Sequence, residues 1–207
     1  MRTMETGRLG LMRTVFRVIL VAGCAVLAGC SAEAKRTGFL STYAHLDGAD
    51  GGKVFVAGSD AIDQVQGVYV EPVELRLDSK SNVSDEQAGQ IAAELHEAMR
   101  AAIGAHREVV GQGDGTAARF RMALTRIRKG VWLLNLHPGT KMSGAGLGGA
   151  AIEAELVDAE GRQLWAMVEM RKGDRAELDA FSELDDARDA INAWAQQIEA
   201  LFSEGER

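Results

Sequence analysis

Ile152-Glu-Ala-Glu-Leu-Val-Asp-Ala-Glu-Gly-Arg-Gln-Leu-Trp-Ala-Met-Val-Glu-Met170 is the stretch on which the fold turns. Ile152, Ala154 and Leu156 alternate with Glu153 and Glu155, the period-two pattern of a strand with one face buried. Asp158-Ala159-Glu160-Gly161 supplies the polar and glycine residues of a hairpin turn. Leu164, Ala166, Val168 and Met170 then bring the chain back as a second strand. Glu153 and Glu155 share one strand face, and the reading at this level is a solvated face.

Working outward, Phe120, Met122 and Leu124 alternate with Arg119, Arg121 and Ala123, so Ala117–Arg128 reads as a further half-buried strand. Val109-Val110 is a short strand candidate. Val68–Leu77 is another strand, with Pro72 marking an edge or a bulge because proline cannot donate to a ladder. Between them lies the clearest helix. Ser84 can cap it, Gln87 stands three positions on as in a capping box, and Ala88, Ile91, Ala92, Leu95, Ala98, Met99 and Ile103 recur at helical spacing up to Gly104. A last helix runs from about Leu184 to Ser203, its apolar stripe formed by Leu184, Ala187, Ile191, Trp194, Ile198, Leu201 and Phe202. The order strand, helix, several strands, helix predicts an α+β fold: a mainly antiparallel sheet of four to five strands with two long helices packed on one face. Leu95 and Trp194 are the expected helix anchors of its core. Gly38–Leu46, dense in apolar groups, is expected to pack on the domain, and Val54-Phe55-Val56 is a short strand candidate within the Asp- and Gly-rich segment after it.

The N-terminus speaks to location. Arg2, Arg8, Arg13 and Arg17 precede the apolar stretch Val18–Ala28 and the small-residue junction Leu27-Ala28-Gly29-Cys30, which are the parts of a secretory signal. The uncharged run up to Cys30 falls short of the roughly 18 residues of a membrane span. Leu-Ala-Gly-Cys resembles the lipobox of bacterial lipoproteins. That resemblance implies cleavage after Gly29, acyl chains on Cys30, and, because Ser31 rather than aspartate follows, the periplasmic face of the outer membrane. Val21-Ala22-Gly23-Cys24 is a second, poorer match, and translation could begin at Met1 or Met12. The expected organisation is therefore a signal over 1–29, a lipid-anchored tether over 30–37 and one periplasmic α+β domain over 38–207.

Removing the four arginines and one glutamate of the signal takes the net charge from −7 to −10. A chain that acidic lacks the basic footprint of nucleic-acid binding. With Cys24 removed and Cys30 acylated, neither a disulfide nor a cysteine zinc site can form. The remaining motifs point to no chemistry. His45, His96, His106 and His137 show no ligand spacing, so no metal is expected. No Gly-x-Ser-x-Gly elbow occurs, and Met142-Ser143-Gly144 leads toward a strand rather than a helix. The glycines from Gly144 to Gly149 enter the Ile152 strand, whereas a phosphate loop requires a following helix, so no cofactor is expected.

Gly38-Phe-Leu-Ser-Thr-Tyr, Val70-Glu-Pro-Val and the run from Gly148 to Gly161 together resemble a bacterial lipoprotein family known as domain of unknown function 3313. The resemblance covers most of residues 38–203. It implies this fold and a lipid anchor, and it implies no reaction, cofactor or catalytic residue.

Two functional readings follow. The first is a non-catalytic accessory or interaction module, held to the membrane through lipid on Cys30 and touching another envelope protein. The second is a periplasmic hydrolase with a site assembled by tertiary contact. Trp132, Leu133, Leu134 and Leu136, an apolar run before a glycine-rich loop, read either as continued strand or as the contact surface of the first reading.

Overall fold

The computed structural model describes residues 34–47, 54–130, 146–173 and 183–203. Eleven elements follow in chain order: α1 (Ala44–Asp47), β1 (Val54–Val56), α2 (Ser59–Asp63), β2 (Gly67–Val70), β3 (Glu74–Leu75), α3 (Asp85–Gly104), β4 (Glu108–Val109), β5 (Ala118–Arg128), β6 (Gly149–Val157), β7 (Gln163–Lys172) and α4 (Asp185–Ser203).

The fold is α+β, with a mixed sheet of seven strands in the order β1-β7-β6-β5-β2-β4, and β3 pairing with β5 beyond β2. The sheet corrects the expected mainly antiparallel arrangement of four to five strands. β1–β7, β7–β6 and β6–β5 are antiparallel, while β2–β5, β3–β5 and β2–β4 are parallel. The physical cause is α3, a crossover that returns the chain to β5 in the direction in which β2 left the sheet. The stretch read as one strand from Val68 to Leu77 is divided at Pro72. Both halves nonetheless follow β5, since Glu71 N donates to Phe120 O at 2.9 Å and Arg76 N to Leu124 O at 2.9 Å.

The two long helices form as the sequence predicts. Ser84 Oγ accepts from Gln87 N, and the Gln87 side chain accepts from Ser84 N, which satisfies two helix-end donors reciprocally. The α3 residues Ile91, Leu95, Met99 and Ile103 and the α4 residues Ile191, Trp194, Ile198 and Phe202 join Phe120, Met122, Leu124, Ile152, Ala154, Leu156 and Met167 in one core. Leu95 and Trp194 are both fully buried. Trp194 Nε1, carried into that core, donates to Glu169 Oε2 at 3.0 Å. Across the helix layer Arg188 reaches from α4 to Glu94 on α3 at 2.9 Å.

The β6–β7 hairpin turns where expected, with Gly161 at φ 82°. A register shift between Leu156 and Val157 alters the simple alternation of β7. Trp165 and Met167 face the helices, and Ala166 and Val168 face the other way. Gly149 opens β6 at φ 141°, and a Cβ there would lie 2.2 Å from Arg171 O, so the glycine allows close strand approach. Gly148 and Gly149 thus lead into a strand, as the sequence indicates. Among the described residues no helix is long and apolar enough to cross a membrane.

Candidate functional site: a strap over two buried glutamates

The sheet face turned away from the helices has its own small core. Phe39, Leu40 and Leu46 pack on Ala123, Ala166 and Val168, with Ala34, Tyr43 and Phe55 at the margin. The segment 34–47 is thus a strap laid across the sheet, in agreement with the packing expected for Gly38–Leu46. Gly38 sits at φ 79°, a left-handed conformation that glycine adopts without strain, and there the strap bends onto the sheet. Arg36 pairs with Asp47 at 2.7 Å, joining one end of the strap to the other. The guanidinium carbons of Arg76 and Arg121 lie 5.1 and 4.9 Å from the centre of the Phe39 ring, a cation–π clasp.

Beneath the strap lie Glu153 and Glu155, each 0% exposed. They correct the solvated face expected from the alternation of β6. A carboxylate can be buried at this depth only when its oxygens are hydrogen-bonded or paired with a cation. Glu155 meets the requirement five times. Ser41 N donates to both its oxygens at 3.1 and 2.9 Å, Ser41 Oγ donates at 2.7 Å, Gln163 Nε2 at 2.9 Å and Arg121 Nη1 at 2.6 Å. Glu153 accepts from Thr37 N and, in a very short bond, from the Tyr43 hydroxyl. The same hydroxyl accepts from Gly38 N at 2.9 Å. Burial, and then the bond to Glu153, holds the Tyr43 phenol above its ordinary value, which keeps it a donor to the carboxylate. Gln163 extends the network, donating also to Thr42 O, while its Oε1 lies 3.1 Å from His45 Nδ1. The His45 ring stacks on Phe55 with centroids 4.2 Å apart.

These groups form a closed polar network. Most donors to the two carboxylates come from the strap, which lies more than a hundred residues away in sequence. Bond formation at this site fixes the strap to the sheet; it leaves no carboxylate oxygen turned toward solvent.

A groove of ≈ 890 Å³ opens at one end of the sheet, between α2, the β4–β5 connection and the β6–β7 turn. Asp60, Glu108, Asp114, Asp158 and Glu160 line it together with Arg162. Hydrogen bonds from Thr116 hold Asp114 below the usual carboxylate range. Burial works against the charge on Asp158, yet the backbone and guanidinium of Arg162 more than offset it and hold that group low as well. Neither is tuned upward, as a proton donor near neutral pH would be.

The histidines stand apart. His45 belongs to the strap network, His96 on α3 has its Nδ1 3.2 Å from Glu71 O just after β2, and His106 follows the end of that helix. Among the described residues no three His, Cys, Asp or Glu side chains gather as a metal site would require. Cys30, His137 and the apolar run Trp132, Leu133, Leu134 and Leu136 lie outside the described residues. Sequence reasoning missed Glu153 and Glu155 as a site. The available signal was apolar company on their own face: Ala151 and Val157 on β6, with Ala166 and Val168 on β7.

No curated protein matches the sequence. Two solved structures of PelC from Paraburkholderia phytofirmans, a dodecamer and a single-substitution variant of it, are similar at 13% and 14% identity. Their TM-scores are 0.41 and 0.42, with 67% and 68% of this chain and 88% of each of theirs covered. The model of the family described as protein of unknown function (DUF3313) matches residues 35–198, and the chain belongs to that family.

Proposed function

We propose that the protein is a lipid-anchored lipoprotein of the cell envelope, attached through Cys30 to the periplasmic face of the outer membrane, and that it works as a non-catalytic accessory or interaction module. The strap carries this reading. The chain that begins four residues after Cys30 is fastened across the sheet by two buried glutamates, so an anchor at Cys30 is joined to a seated segment. More than one acyl chain there gives stable attachment, because a single chain binds only marginally.

The polar groups of the strap and of the groove support a structural role over a hydrolytic one. A hydrolase needs a carboxylate, hydroxyl or imidazole free to exchange a proton with substrate. Glu153, Glu155, Ser41 and Tyr43 are committed to one another, and the groove carboxylates with resolved shifts are held low. For the partner surface, the reading places Trp132, Leu133, Leu134 and Leu136 against another envelope protein. Under that reading Trp132→Ala weakens association and leaves stability almost unchanged; a loss of about 3–5 kcal/mol in a denaturant melt would instead mark a core residue.

Intact-mass analysis of the membrane form tests the anchor. The expected species begins at Cys30 and carries acyl chains, and Cys30→Ser releases the protein to the soluble fraction while Cys24→Ser does not. A mature terminus at Cys24, or an unmodified Cys30, would overturn the assignment.

A further inference from the structure

We propose that Asp186 is a proton-operated clasp: in its neutral form it locks the first turn of α4 to the ends of β5, β6 and β7, and in its ionised form it loosens that junction. The inference is independent of how the chain is anchored.

Geometry makes the first argument. Asp186 is half-buried in the first turn of α4, and Gly148 N, just before β6, donates to its Oδ2 at 2.6 Å. The carboxylate occupies space that side chains on three other segments would need. A Cβ at Gly130, just past β5, would lie 3.1 Å from Oδ2, and one at Gly148 would lie 2.7 Å from it. At Gly173, which follows β7, a Cβ would fall inside the carboxylate. None of the three has the left-handed φ that otherwise calls for glycine, so what they permit is close approach, to Asp186 in all three cases. Backbone bonds gather the same segments, since Gly130 N donates to Glu183 O at 2.8 Å and Gly173 N to Gly148 O at 3.3 Å. One side chain thus stands where three strand ends and the start of a helix meet.

Hydrogen-bond supply makes the second argument. An ionised carboxylate offers about four acceptor sites. Glu155 receives five bonds within this fold, whereas Asp186 receives a single N–H among the described residues. Its Oδ1 rests against Gly173, whose own N–H is given to Gly148 O. Charge works in the same direction. Asp185 and Asp189 stand beside it on α4, and a helix N-terminus offers only about half a positive charge to be shared among such groups. The surrounding cations are engaged or placed elsewhere. Arg188 bonds Glu94 and Asp185, Lys129 pairs with Glu183 at 2.9 Å, and Arg171 lies 3.3 Å from Glu169. Arg128 alternates with the core residue Ile127 and so points to the other face of the sheet, and Lys172 is exposed at the end of β7. Burial foremost, with Asp189 and Asp185, outweighs the bond from Gly148 and raises the Asp186 carboxyl above its ordinary value of 3.8. A folded value above the unfolded one means that ionisation costs stability. That cost is absent below the unfolded value, grows as pH rises toward the folded value and is complete above it.

The test uses the full chain, kept soluble in a neutral detergent, with urea melts followed by tryptophan fluorescence from neutral pH to below 3.8. Asp186→Asn keeps an acceptor for Gly148 N and removes the charge. Its urea midpoint is expected to lie above that of the parent at neutral pH, and the two midpoints to converge below the unfolded value. Asp186→Ser, smaller and also uncharged, decides the matter if the Asn amide is too crowded beside Gly173 to fold; its midpoint relative to the parent should likewise rise with pH across that window. Amide exchange, corrected for its intrinsic pH dependence, reads the junction itself. Gly130 and Gly148 are expected to lose protection several-fold as pH rises in the parent and not in Asp186→Asn, while the centre of β6 is unchanged in both. A stability gap that is constant with pH, or that widens in acid, would overturn the clasp. Exchange that changes equally along all of β6 would overturn its confinement to this junction.

Discussion

Replacing Glu155 by alanine removes one carboxylate and leaves its donors in place. Both acceptors of the Ser41 amide are Glu155 oxygens, so that N–H loses its partners. Gln163 keeps its bond to Thr42 O at 3.1 Å, and Arg121 keeps Glu71 at 3.6 Å with about a quarter of its side chain exposed. The damage therefore concentrates where the strap crosses the sheet. A buried donor left unsatisfied costs about 1–3 kcal/mol. Removing one member of a buried charge pair raises the total to about 3–5 kcal/mol. Glu155→Gln keeps the shape and one acceptor oxygen, and its expected loss is smaller, about 1–3 kcal/mol. Urea melts of a soluble form beginning after Cys30 measure both. Arg121→Ala combined with Glu155→Ala should cost less than the two single losses added, since neither then strands the other. A loss below about 0.5 kcal/mol for Glu155→Ala, typical of a neutral surface change, would refute the reasoning that this carboxylate fastens the strap.

Two other perturbations probe the frame around the site. Trp194→Ala should cost about 3–5 kcal/mol and Leu95→Ala about 2–5 kcal/mol in the same melts, because each side chain is fully buried between helix and sheet; near-neutral effects would mean that the helix faces are misread. Asp78 tests the acid limb: its bond from the Arg126 guanidinium, working against burial, lowers its pKa from 3.8. The folded value is below the unfolded one, so its stabilising contribution is present above the unfolded value and is lost as pH falls through the folded value. Asp78→Asn should therefore be less stable than the parent at neutral pH, with the gap closing in strong acid, and a gap that is constant with pH would contradict the pairing.

The parts of the fold that were legible in sequence are those decided by neighbours along the chain. The Ser84–Gln87 capping box, the apolar stripes of α3 and α4 and the Gly161 turn depend on residues a few positions apart, and each stands where local pattern places it. Strand direction is not local. The crossover by α3 makes β2 parallel to β5, and nothing within Val68–Leu77 encodes that relation. The same limit hid the site. Alternating glutamates on β6 look solvated because their cover, Thr37, Ser41 and Tyr43, comes from the other end of the chain. The alternation in β5 and β6 signalled one buried face correctly and was silent about the second, which becomes buried only once the strap is laid over it.

That the strap over residues 34–47 is an integral layer of the domain is tested most directly by amide hydrogen exchange of the folded protein. If the strap is fastened by Glu153 and Glu155, the Thr37 and Ser41 amides exchange slowly, with protection approaching that of amides in β5 and β6, because opening them requires unseating both carboxylates. Exchange of Thr37 and Ser41 at the rate of an unstructured peptide, while β5 and β6 remain protected, would contradict the account.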